Sequence, residues 1–359
     1  MAEFVNDDKA LLERVEKSLE SRQAAELEGS VGGLQAVIVN VEPGGQREAV
    51  NEFLRFTGYD FAGAFEDEEA LTYVLKLEGS ADFLFRSRKV ANPFLSYNKG
   101  PKSNHQPNAR LETFVYTVDD LNRFIAIQKQ RGISFVTPLA IDRGNYLFIQ
   151  TVPSRFTGNS TGFIQWKERQ GDYAGVFAKP LDMVLPKPKL KHLAFIGRLD
   201  HSATRVHAEH RDDAIIEFMD QTCYTFAFAV YVESLNSITN VARLAEGEYA
   251  QVFTSGIKPF TTLDESGPTE RFIHNYGLRV HHLAFETQDI ENTFSALKAD
   301  GLGFLVDLVG GPDEGLHQTF SNMSGHTFLV NEYILRYGGF DGFFTKSNVT
   351  ELTLATDKQ

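Results

Sequence analysis

Along this chain the apolar positions switch repeatedly between two periods. Stretches such as LQAVIVNV (34–41), LETFVYTV (111–118) and VHHLAFET (280–287) are rich in β-branched and aromatic residues that alternate along the chain, and they read as strands. The stretches that follow, REAVNEFLRFTGYDF (47–61), DLNRFIAIQKQ (120–130) and DIENTFSALKA (289–299), space their apolar residues three and four apart. That spacing predicts amphipathic helices. Near the start, Leu11, Leu12, Val15 and Leu19 recur at helical spacing and predict a short helix in an N-terminal extension, residues 1–29.

The pattern repeats itself. LETFVYTVDDLNRFIAIQKQRGISFV (111–136) lies over VHHLAFETQDIENTFSALKADGLGFL (280–305), strand on strand and helix on helix, with Asp120 on Asp289 and Gly132 on Gly301. A second pair is LQAVIVNV with LDHSATRV (199–206), each followed by a helical stretch. Four modules of strand, helix and further strands result, an α+β arrangement of βαβββ type. AKPLDMVLPKPKLK (178–191) holds three prolines and four lysines without either period and is the expected linker. It separates an N-terminal domain, 30–177, from a C-terminal domain, 192–359.

Composition narrows the partners. A net charge of −13 disfavours nucleic acid, whose binding depends on neutralising phosphates, and favours a small-molecule partner. No apolar run reaches the roughly 18 residues of a membrane span, and the first residues lack a basic segment followed by an apolar one, so the expected location is cytoplasmic. The single cysteine, Cys223, excludes an intramolecular disulfide framework and sits among apolar neighbours, where packing is its expected role. There is no HExxH pair, phosphate-binding glycine loop or GxSxG elbow.

Chemistry is expected where one copy of the repeat carries groups that the other lacks. Module on module, His201 falls opposite Ala36, His282 opposite Thr113 and the neighbouring His281 opposite Glu112. In the last strands, FIQWKERQG (163–171) laid on VNEYILRYG (330–338) by their arginines and glycines sets Glu332 opposite Gln165. Two imidazoles and one carboxylate on one side of a divalent metal leave up to three positions open, the arrangement of non-haem Fe(II) oxygenases. Adjacent strand residues face opposite ways. Small Ala284 shares the face of His282 and leaves room for an ion, while His281 shares the bulkier face of Leu283 and Phe285. His192 in KLKHLAFIG is the rival for the first ligand, and His207 and His210 fall in a charged stretch that reads as solvated.

Taken together, RLDH (198–201), ESLNS (233–237), VHHLAF (280–285), LHQTFS (316–321), NEYILR (331–336) and FTKSNVTEL (344–352) resemble, in order, the blocks of the 4-hydroxyphenylpyruvate dioxygenase family of the vicinal oxygen chelate superfamily. The resemblance runs from about residue 30 to the end. It implies two glyoxalase-like domains, with an open β-barrel in the C-terminal half, a metal-free N-terminal half and a C-terminal lid helix. It also implies Fe(II) held by His201, His282 and Glu332, with RLDH favouring His201 over His192. The substrates implied are a small-molecule 2-oxo acid and O2, and the assembly a homo-oligomer. Ser237, Gln318, Phe320, Phe344, Asn348 and Val349 match positions that line the family's substrate pocket.

Three departures stand out. Val349 replaces a ring-stacking phenylalanine, His281 replaces a glutamine, and the glycine-bearing TSGIKPF and DESGP occupy 254–268 where polar pocket residues are expected. The reaction implied is oxidative decarboxylation and hydroxylation of an aryl 2-oxo acid, 4-hydroxyphenylpyruvate to homogentisate. The alternatives are a 4-hydroxymandelate synthase-like or other 2-oxo acid oxygenase, a glyoxalase-type isomerase or lyase using Zn or Ni, and a protein that only sequesters a ligand.

Overall fold

The computed structural model describes residues 4–359, and the first three residues of the expected extension lie outside the described residues. In the N-terminal half the elements run α1 (Asp8–Ala24), β1 (Val31–Asn40), α2 (Gln46–Phe56), β2 (Asp60–Glu66), β3 (Ala70–Lys76), β4 (Asp82–Arg88), β5 (Arg110–Val118), α3 (Leu121–Gln130), β6 (Ile141–Asp142), β7 (Tyr146–Gln150), β8 (Ser160–Trp166) and β9 (Lys179–Leu181). The C-terminal half continues with β10 (Ile196–Arg205), α4 (Arg211–Gln221), β11 (Thr225–Val232), β12 (Ser237–Arg243), β13 (Ala250–Ser255), α5 (Pro268–Tyr276), β14 (Val280–Thr287), α6 (Ile290–Ala299), β15 (Val309–Gly311), β16 (Leu316–Phe320), β17 (Val330–Arg336) and α7 (Lys346–Ala355). Among the described residues no helix is long and apolar enough to cross a membrane.

Apart from β9 at the edge of the first, the two sheets match strand for strand. One runs β6-β7-β8-β5-β1-β4-β3-β2-β9 and the other β15-β16-β17-β14-β10-β13-β12-β11, so each half consists of two βαβββ modules joined through an antiparallel central pair, β1 with β5 and β10 with β14. The repeated Asp and Gly explain why the helices of modules two and four start and stop alike. Asp120 and Asp289 cap α3 and α6 by accepting from the backbone N–H three residues on, at 3.0 and 3.3 Å. Gly132 and Gly301 follow the helices at φ 88° and 95°, a conformation that other residues rarely take.

Both sheets curl. Their outer faces and the helices form one shared core, in which Phe53 of the first half meets Phe285 of the second at 5.9 Å and the Tyr333 hydroxyl donates to the Phe56 carbonyl at 2.8 Å. The inner faces pack separately, one around Ala36, Ile38, Val115 and Ile164, the other around Ala203, Val252, Phe343, Phe344 and Val349, with smaller clusters at Phe320 and Ala284.

Two sequence expectations shift in detail. The extension does form a helix, but it lies on α4 of the C-terminal half: Arg14 pairs with Asp213 at 2.8 Å and Ser18 donates to Asp220 at 2.7 Å. Its buried face is Leu11 and Val15, whereas Leu12 points to solvent. Within the expected linker, Lys179–Leu181 adds edge strand β9 beside β2.

One correspondence is corrected. Ala36 opposes Val115 as His201 opposes Ala284, so Ala36 and Thr113 are the counterparts of His201 and His282. Glu332, however, pairs with Ala284, and the matching partner of Val115 is Gly162, not Gln165. Gln165 lies three positions further on, and an odd offset on a strand turns a side chain to the other face. There its Oε1 accepts from the Leu121 N–H at 2.9 Å, at the start of α3. Aligning the arginines and glycines beyond the strands carried the register across turns that differ between the halves.

Candidate metal centre

His201, His282 and Glu332 sit on β10, β14 and β17, three adjacent strands of the C-terminal sheet, and all face inward. The cross-strand register sets this: Ala203 lies beside His282, Ala284 beside both His201 and Glu332, and these small residues keep the space in front of the sheet clear. His201 Nε2 lies 3.2 Å from Glu332 Oε2, and His282 Nε2 lies 3.3 Å from the same oxygen. The side chains of His201 and Glu332 have no exposed area, and that of His282 only 5%.

These three atoms are the sign of a missing partner. His201 Nε2, His282 Nε2 and Glu332 Oε2 are all buried without a hydrogen bond, although each is close to another. Isolating three such groups from water is costly. Adjacent ligands of an octahedral ion with bonds of about 2.1 Å stand roughly 3 Å apart, so the spacing and the N, N, O donor set fit a divalent cation.

The groups behind the ligands fix which atom points inward. His201 Nδ1 meets Asp200 Oδ1 at 2.6 Å, and Asp200 is clasped by both Nη atoms of Arg336 at 2.5 and 3.0 Å. This chain holds the proton on Nδ1 and turns Nε2 to the centre, as metal-bound imidazoles require. Burial disfavours a charge on His201, but the Glu332 and Asp200 carboxylates outweigh it and hold the imidazole up at about 9. Burial, with His281, His201 and Arg205 as neighbours, pushes His282 well below its ordinary value and keeps it neutral.

His281 takes the second position behind the centre. Its Nδ1 lies 2.9 Å from His282 Nδ1 and its Nε2 2.9 Å from Gln359 Oε1, while Phe272 of α5 packs edge-on at 5.0 Å. One tautomer assignment satisfies the whole chain, with His282 donating to His281 and His281 to Gln359.

Several of the residues expected from sequence to line a pocket touch these side chains or one another. Phe320, directly across from Glu332, has its ring 4.7 Å from that of His282. Phe344 stands 5.6 Å from the His201 ring, beside Phe343 at 5.4 Å. Gln318 Nε2 donates to Glu332 Oε1 at 2.6 Å and to the Phe343 carbonyl at 2.9 Å, and Gln318 Oε1 accepts from Asn348 Nδ2 at 3.2 Å. Val349 packs in the cluster of Phe343 and Phe344, and Ser237, at the start of β12, has a buried hydroxyl without a partner. Helix α7, capped by Thr345 accepting from the Asn348 N–H at 3.2 Å, brings Asn348 Nδ2 to 3.4 Å from the Leu316 carbonyl of β16.

The rival histidines lie elsewhere. His192 is in the one-turn helix Lys191–Phe195, outside the trio. His207, expected in a solvated stretch, reaches buried Glu270 at 3.1 Å, and with Glu209 these residues form a second grouping of potential ligands. The two Glu270 oxygens are already engaged, by His207 and by the Ala208 N–H at 2.7 Å. Sequence reasoning passed over Asp200, although RLDH displays it, and used Arg336 only to set a register. Gln359 lies 78 positions from the histidine it meets in the fold, too far for any local signal.

No family model matches the chain, and no curated protein matches it. Solved structures do. A mutant of 4-hydroxymandelate synthase from Streptomyces coelicolor superposes with a TM-score of 0.69 at 14% identity, over 92% of this chain and 99% of that one. A fusion of a xylose isomerase-like TIM barrel with 4-hydroxyphenylpyruvate dioxygenase gives 0.62, also at 14% identity, over 91% of this chain and 52% of the fusion. These likenesses establish the fold, two domains of two βαβββ modules each, the arrangement expected from the repeats.

Proposed function

We propose that the chain is a non-haem Fe(II) dioxygenase of the 4-hydroxyphenylpyruvate dioxygenase type, turning over a 2-oxo acid and O2, with 4-hydroxyphenylpyruvate to homogentisate as its reaction. What supports this most is the convergence of three buried, unpartnered ligand atoms from two histidines and a glutamate. In this reading residues 192–359 are the catalytic domain and 30–177 its metal-free partner, joined by 178–191 and preceded by the extension 1–29.

When bound, Fe(II) supplies open coordination positions for a chelating 2-oxo acid and the electrons that dioxygen activation requires. The protein contributes placement and dryness. With the ion in place of the proton on His201, the trio of His201, His282 and Glu332 would offer two neutral imidazoles and one negative charge. Asp200 and Arg336 hold the first imidazole, and His281 with Gln359 the second. Phe320 offers a flat face to an aromatic ring, Phe343 and Phe344 exclude water, and Val349 leaves more space on the lid side than a phenylalanine would.

Gln318, Asn348 and Ser237 supply the polar contacts. The Asn348 Oδ1 and Ser237 Oγ atoms are buried without partners, free to accept from or donate to a substrate. Because α7 seals the pocket, substrate enters only when that helix lifts. Anaerobic loading with Fe(II), followed by oxygen uptake and carbon dioxide release across a panel of 2-oxo acids, tests the proposal. Coupled uptake and release with 4-hydroxyphenylpyruvate is expected. No uptake with any of them, alongside turnover of another substrate with Zn or Ni, overturns it in favour of an isomerase.

A further inference from the structure

The inner face of the N-terminal sheet encloses a cavity of about 320 Å³. It occupies the place that the metal centre takes in the other half, in front of β1, β5 and β8. Its floor is apolar, with Ile38, Leu84, Val115, Phe148 and Ile164 drawn from five strands. In the C-terminal half the equivalent space is filled by Phe343, Phe344 and Val349.

One wall carries arginines whose partners are unequal. Arg88 is held by both oxygens of fully buried Glu112, at 3.1 and 2.5 Å. Arg143 reaches Asp67 and Glu69 at 3.5 and 3.3 Å. Arg86, which strand alternation places on the inward face with Leu84, makes no side-chain hydrogen bond; its nearest carboxylate is Glu69, 3.9 Å away and already shared with Arg143. The Arg86 side chain is only 14% exposed. Burial, followed by the neighbouring Arg88 charge, lowers its affinity for its proton. Mostly covered and without a side-chain hydrogen bond to the protein, this guanidinium faces the cavity, and its planar fork matches a carboxylate held through two oxygens.

We propose that this cavity is a second ligand site, which binds a small organic monocarboxylate with its carboxylate on Arg86 and its apolar body on Ile38, Val115, Phe148 and Ile164. The volume lies at the small end of the roughly 300–1,000 Å³ of small-molecule pockets, suited to one ring or a branched chain. Asp67 and Glu69 on the same wall repel a second negative charge and so select a monoanion over a phosphate. The site is independent of the metal centre and of the reaction proposed there.

The lone tryptophan reports on this site. Trp166 packs at 5.2 Å against Tyr146 and at 5.2 Å against Tyr173, both of which line the cavity. Titrating the full-length chain with phenylacetate, which lacks the 2-oxo group needed for chelation, in the presence of EDTA should change Trp166 fluorescence saturably below about 10 mM. Phenylacetamide, the neutral analogue, should bind at least about tenfold more weakly, as should phenylacetate to Arg86→Gln. Binding to Glu332→Gln should equal that to the unaltered chain. No saturable change, equal affinity for the amide, or loss of binding in Glu332→Gln each overturns the proposal. The amide comparison stands even if Arg86→Gln fails to fold.

Discussion

The two halves of this protein share their strand order, their cross-strand register and the caps of their equivalent helices, yet among the described residues only one brings together histidines and carboxylates that could hold a metal. At the three equivalent inward positions one half has Ala36, Thr113 and Gly162, the other His201, His282 and Glu332. The scaffold therefore does not decide the chemistry. Three side chains on adjacent strands do, together with what stands behind and in front of them. Behind His201 are Asp200 and Arg336, while at the matching positions of the first half, on β1 and β8, stand Gln35 and Trp166. In front is α7, and the first half keeps an open cavity there instead.

The sharpest way to break the comparison is to remove the carboxylate. Glu332→Gln keeps shape but loses charge, and both iron retention and oxygen-dependent turnover should fall to background, read by metal analysis and oxygen consumption. Full iron content in that variant would show that the ion sits elsewhere. Next in size is Asp200→Asn, which frees the His201 ring and should weaken metal binding by about 10–100-fold. Competition with a chelator measures this, and an unchanged affinity would mean that the Arg336–Asp200–His201 chain positions nothing.

A smaller effect tests the silent half. A Cβ added to Gly162 would come within 2.9 Å of Thr113 Cγ2 and 3.2 Å of Phe148 Cε2. Gly162→Ala should cost about 1–3 kcal/mol of stability by overpacking, seen in urea unfolding, without changing metal content. Equal stability would mean that these neighbours yield and that packing does not bar this half from a third ligand. The mildest is Gln359→Ala, which removes one acceptor from His281 and should weaken metal binding about 2–10-fold. A chelator titration showing no change would make His281 a packing residue only.

Much of this contrast was legible in the sequence. The Asp and Gly at a fixed interval gave the repeat because each has a local physical job, capping a helix or turning the chain at positive φ. His201 and His282 stood out because their counterparts are small and inert. The third correspondence failed because register is settled by which face of a strand is buried, and Gln165 and Gly162 differ by an odd number of residues. Contacts that join distant elements were invisible: α1 lying on α4, Gln359 meeting His281, and Arg86, without a side-chain hydrogen bond, over an apolar floor. Leu12 shows the limit of helical spacing, which marks a stripe without saying how wide the buried face will be.

The most direct test of the central claim is the amount of iron retained per chain after anaerobic Fe(II) loading and removal of the excess. The account predicts about one ion per chain, lost in His201→Ala, His282→Ala and Glu332→Ala alike and unaffected by Thr113→Ala in the other half. Retention of the ion in any of the first three, or its loss in the last, would contradict it.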